Sequence, residues 1–122
     1  MHDFRRLDVW HFAMDIARDT YRVTTGFPIG EQFGMQQQMR RCAVSIPSNI
    51  AEGSARGSPK DFRRFLFIAK ASAAELETQL QLAEDFGFAS QESSAELRRA
   101  LDRCRAMLGR LIRELGRGLT DD

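Results

Sequence analysis

The chain has 122 residues, 43% hydrophobic and 29% charged, which is enough for one domain, residues 1–122, with a modest core. A formal net charge of +1 and a pI near 7.9 exclude the strongly basic body of a dedicated nucleic-acid protein. No run approaches the ~18 apolar residues that cross a bilayer, the start "MHDFRRLDVW" lacks a signal peptide's apolar run, and the two cysteines suit small buried hydrophobes, so a cytoplasmic protein without membrane contact is expected.

Along the chain, residues 7–24 place Trp10, Ala13, Met14, Ala17 and Tyr21 three or four apart, which predicts an amphipathic helix with that face inward. "GFPIGE" breaks it, because Gly26 and Gly30 are permissive and Pro28 cannot continue a helix. A second helix is expected over 31–56, with Met35, Met39, Cys42, Ile46 and Ile50 on one face. "GSPKD" resets the chain: Ser58 can cap, Pro59 suits the first helical position, and Asp61 is the capping-box carboxylate.

The third helix, 59–86, carries Phe62, Leu66, Ala69, Ala73, Leu76, Leu80 and Ala83 at alternating spacings of four and three, a heptad seam. Gly87 is placed for a left-handed cap, and Ser90 caps a fourth helix, 91–115, whose seam is Leu97, Leu101, Cys104, Leu108, Leu111 and Leu115. Residues 116–122 read as a frayed tail. Four long helices, three short connections and no strand pattern predict an all-α fold, an antiparallel up-down-up-down four-helix bundle.

Two features exceed what a solitary bundle needs. Phe67 and Ile68 point away from the seam of the third helix, and Phe12, Ile16 and Val23 form a second stripe on the first. Two such stripes favour self-association over solvent exposure. Charge is also segregated, with six basic residues between Arg40 and Arg64, six acids and no base between Glu75 and Glu96, and seven arginines between Arg98 and Arg117. Such blocks favour pairing between segments or between copies.

The stretch "SIPSNIAEGSARGSPKDF", residues 45–62, concentrates the polar chemistry. As one helix it aligns Ser45, Asn49, Glu52 and Arg56 on a stripe, and Pro47 then leaves the Ala43 carbonyl without its usual donor. A stop near Ser45 and a restart capped by Asn49 is the alternative to this kinked continuous helix. No catalytic residues are assigned, because Ser45 and Ser48 have no histidine near them in sequence, His2 and His11 lying at the far end of the chain. His11 with Asp15 reads as an ordinary surface pair. No metal site or cofactor is expected either, since the glutamates lack the Glu-x-x-His spacing of a di-iron bundle. The capped turn with Arg56, Lys60, Arg63 and Arg64 can hold a phosphate or nucleic acid, or can pair with an acidic segment of a neighbour.

"LDVWHFAMDIARDTYRVTTGFP", "SIPSNIAEG" at 45–53 and the "RFL.IA..S..ELE" pattern at 64–77 closely resemble the four-helix-bundle family of 23S ribosomal RNA intervening-sequence proteins, over about residues 4–115. The resemblance implies a bundle without enzymatic activity that assembles as a ring, a homopentamer. It also implies kinship in fold with the accessory variability protein of diversity-generating retroelements, which works with a reverse transcriptase and nucleic acid. This chain departs from basic relatives in its near-neutral charge. Two readings follow: a non-enzymatic homo-oligomeric scaffold or adaptor, whose subunit contacts include Ser45, Asn49, Glu52, Phe67 and Ile68, or an accessory protein that binds RNA or DNA through the basic turn and the arginine-rich fourth helix.

Overall fold

The computed structural model describes residues 3–119, so His2 and the tail residues 120–122 lie outside the described residues. Four helices follow one another, α1 (Asp8–Thr25), α2 (Met35–Ala55), α3 (Pro59–Asp85) and α4 (Gln91–Gly116), with 3-10 turns at Phe4–Arg6 and Ile29–Glu31. Among the described residues there is no strand.

The helix boundaries follow from local chemistry. Ser58 Oγ accepts the Asp61 N–H at 3.1 Å, and Ser90 Oγ accepts the Ser93 N–H at 3.0 Å. Gly87 takes φ +79, which lets the Gly87 and Phe88 amides return to the Glu84 and Ala83 carbonyls. The start of α2 lies later than expected, at Met35 instead of residue 31. The Glu31 carboxylate accepts the Met35 N–H at 3.2 Å and so caps the helix from outside it, while Ile29–Glu31 closes a separate turn.

Neighbouring helices meet start to end. Arg40 reaches Thr24, Gly53 abuts Phe62 and Phe65, Arg98 pairs with Glu84, Arg63 with the Ile112 carbonyl, and Arg22 with Glu96. α1 packs on α2 and α4, and α3 also packs on α2 and α4, which leaves α1 and α3 on opposite sides. This is the expected all-α four-helix bundle.

All seven seam residues of α3 are buried. In α4 the seam holds through Leu108 and then continues to Ile112, leaving Leu111 and Leu115 partly buried. α1 differs most. Its buried residues are Val9, Ala13, Ile16, Thr20 and Thr24, not the face of Trp10, Met14, Ala17 and Tyr21. The two threonines can be buried because each hydroxyl is satisfied within the helix: Thr20 Oγ1 donates to the Ile16 carbonyl at 2.8 Å, and Thr24 Oγ1 to the Thr20 carbonyl at 2.7 Å. The expected outer stripe of α1 is therefore overturned. Ile16 is core, Val23 is partly buried against it, and Phe12 is partly buried beneath the Arg103 guanidinium.

Cys42 and Cys104 are buried, and burial pushes both thiols up to about 12. Their neutral forms stabilise the fold fully below the unfolded value of about 8.5, and this contribution is lost as pH rises from there toward about 12. The urea midpoint should accordingly fall above about pH 9, and neither thiol should react with a chromogenic thiol reagent near neutral pH until the protein is unfolded. A second expectation concerns two buried helical glycines. A Cβ on Gly53 would meet Phe65 Cβ at 2.6 Å, whereas one on Gly109 would meet only the tips of Arg113 and Lys70, at 3.5 and 3.7 Å. In thermal denaturation Gly53→Ala should cost about 1–3 kcal/mol, and Gly109→Ala should stabilise by about 0.5–1 kcal/mol.

Candidate functional site

α2 runs unbroken through Pro47, so the continuous helix is the form adopted. The polar stripe serves the backbone on either side of the Ala43 carbonyl. Ser45 Oγ donates to the Cys42 carbonyl at 2.6 Å, and Asn49 Nδ2 donates to the Ser45 carbonyl at 2.7 Å. Both side chains are half-buried, while Glu52 is exposed and pairs with Arg56 at 3.1 Å. Ser45 thus has its hydroxyl proton committed to a carbonyl, not to a general base.

His11 turns to the first turn of the chain, with Nε2 2.7 Å from the Arg5 carbonyl, and Asp15 pairs with Arg18 instead. The expected His11–Asp15 pair is not formed. Among the described residues no group of three or more His, Cys, Asp or Glu side chains is placed to hold a metal ion.

The four residues of the basic turn divide by role. Arg56 and Arg64 lie over the Phe65 ring, each with its guanidinium carbon 4.8 Å from the centroid, and Arg64 also approaches Asp61 at 3.8 Å. Lys60 is exposed beside them. Arg63 is half-buried: its Nε donates to the Ile112 carbonyl at 3.0 Å, its guanidinium covers Phe67, and it lies against Gly116. Arg63 is therefore a strut between α3 and the end of α4, a role that a count of basic residues does not reveal. The antiparallel order also brings exposed Arg113 of α4, and Arg117 just after that helix, to this end of the bundle.

Phe67 and Ile68 remain outside, 47% and 41% exposed. Phe67 heads a stripe of exposed apolar and small residues, with Ala71, Ala74, Thr78 and Leu82, that spans about 80° of α3 at ~100° per residue, and Ile68 flanks it. On the other side of the bundle α1 and α2 enclose a groove of about 310 Å³, walled by Trp10, Met14, Ala17, Val44, Pro47 and Ala51 and closed at one end by Phe4. The groove is absent from the sequence reading because its α1 wall has the periodicity of a core face.

The family model of the 23S rRNA-intervening sequence protein matches residues 5–110. No curated protein matches the chain.

Chemical denaturation of three variants checks these roles. Asn49→Ala should cost about 1 kcal/mol, the scale of one hydrogen bond, and Arg63→Ala about 1.5–3 kcal/mol, the scale of a bond from a charged donor. Lys60→Ala should stay within about 0.5 kcal/mol.

Proposed function

We propose that this chain, which belongs to the 23S rRNA-intervening sequence protein family, is a non-enzymatic scaffold or adaptor that assembles into a homo-oligomeric ring. One observation carries the reading: two apolar surfaces, the α1/α2 groove and the α3 stripe, lie on different sides of the bundle at the same height. Pro47 lies nine residues before Arg56, and Phe67 nine residues after Ser58, so both stand about 13 Å above the α2–α3 turn. A lateral rotation of one copy beside another therefore carries Phe67 and Ile68 into the groove of the next.

Such a contact joins two different patches, so it propagates head to tail and closes into a ring when the rotation permits. Each large apolar side chain removed from water contributes about 1.5–3 kcal/mol. Five copies is the ring size that the resemblance suggests. Ser45 and Asn49 support this interface indirectly, by holding the α2 backbone around Pro47, which is itself part of the groove wall.

A second reading, an accessory protein for RNA, DNA or a reverse transcriptase, is favoured by the gathering of Lys60, Arg64, Arg113 and Arg117 at one end of the bundle. Ring formation would multiply such a patch through avidity. Lys60→Glu with Arg64→Glu should then abolish a salt-dependent RNA affinity, and binding that ignores salt would contradict this reading.

The primary reading is checked by light scattering at micromolar concentration. The wild-type protein should give a closed multiple of 13.9 kDa, and Phe67→Glu should give monomers that keep their helical content. A monomeric wild type would overturn it.

A further inference from the structure

At the end of the bundle away from the basic turn, α1 and the start of α2 form an open cleft of about 520 Å³. Its working surface consists of Tyr21, Phe33, Gln36, Gln37, Arg40 and Arg41. The full lining holds two guanidinium groups, three glutamine amides and two aromatic rings, and it contains no carboxylate. Among the described residues neither Arg40 nor Arg41 has a carboxylate oxygen within 4.0 Å.

Arg40 is held in place. Its Nε donates to Thr24 Oγ1 at 2.8 Å, its Nη2 to the Tyr21 carbonyl at 3.2 Å, and its guanidinium lies 4.4 Å from the Tyr21 ring centroid. Gln36 is anchored by a bond from Nε2 to the Thr24 carbonyl at 2.8 Å, which leaves its amide oxygen available as an acceptor. Phe33 is 82% exposed, so a large ring stands in water beside this prearranged polar set.

These groups suit a planar ligand that carries both hydrogen-bonding edges and negative charge. A purely apolar partner would strip water from two guanidiniums and three amides without replacing their hydrogen bonds. A bare anion would make no use of the two rings. A nucleotide satisfies all three: its base stacks on Phe33, the glutamine amides read a base edge, and a phosphate oxygen meets Arg41.

We infer that this cleft binds a nucleotide unit, either free or as one residue of a single strand. The site is distinct from the basic turn and shares only Val44 with the groove used for self-association. It relies on stacking as well as charge, so it is compatible with a net charge of only +1.

Fluorescence anisotropy with a short labelled oligoadenylate, with adenosine monophosphate as competitor, tests the inference. Wild-type protein should bind the single strand, and Phe33→Ala should weaken binding by about tenfold, the scale of one lost base–aromatic stack. Arg41→Gln should reduce the salt dependence by about one phosphate contact, while Lys60→Gln with Arg64→Gln should leave the affinity unchanged. Displacement by the mononucleotide identifies a free nucleotide as sufficient, and its failure to displace identifies the strand as the ligand. No binding by the wild type, undiminished binding by Phe33→Ala, or equal affinity for a duplex would overturn the inference. Light scattering on Phe33→Ala and Arg41→Gln should match the wild type, which separates failure here from failure of self-association.

Discussion

The architecture depends on how closely α2 approaches α3 beside their connecting turn. Gly53 presents bare backbone to Phe62 and Phe65, and no side chain could occupy that contact without displacing Phe65. Once Phe62, Phe65 and Leu66 face the core, the helical repeat leaves Phe67 and Ile68 outside. A helix in a four-helix bundle has one inward face, and "FRRFLFIA" carries more apolar surface than that face can bury. The exposed stripe on α3 is thus a consequence of the same packing that forms the core.

The α1/α2 groove arises from a comparable choice on the other side. Thr20 and Thr24 go inward because each hydroxyl finds a carbonyl one turn earlier in its own helix. That rotation turns Trp10, Met14 and Ala17 toward α2 at the surface, where Val44, Pro47 and Ala51 complete the wall. Pro47 is tolerated in mid-helix while Ser45 and Asn49 bond to carbonyls on either side of the one it leaves unserved. The polar stripe that invites comparison with an active site maintains the helix on which the groove is built.

The seam of α3, the caps at Ser58 and Ser90, the left-handed Gly87 and the passage of α2 through Pro47 were legible in the sequence, because each rests on local spacing or local chemistry. The inward face of α1 was not, since periodicity ranks threonine below tryptophan and takes no account of a hydroxyl satisfied within its own helix. Arg63 likewise looked like one cation among four until the α3/α4 packing brought it to the Ile112 carbonyl. The segregated charge blocks were legible, but their use was not. Within one copy, Arg98 pairs with Glu84, Arg105 with Glu77 and Arg22 with Glu96, so part of the acidic block is spent on aligning α3 and α1 with α4. The exposed Arg22–Glu96 pair contributes little energy, and its effect is on register, whereas Glu84 and Glu77 are largely shielded from solvent where they meet Arg98 and Arg105.

The proposed ring makes a specific geometric demand: the α3 stripe of one copy must lie in the α1/α2 groove of the next, at matching height. Disulfide trapping tests this arrangement most directly, with Val44→Cys placed in the groove and Ala71→Cys on the stripe. Under mild oxidation the double variant should give a ladder of covalent oligomers that ends at one closed species, while each single variant stays uncrosslinked through its new thiol. Efficient trapping by Val44→Cys alone would mean that two grooves meet face to face, and would contradict the head-to-tail ring.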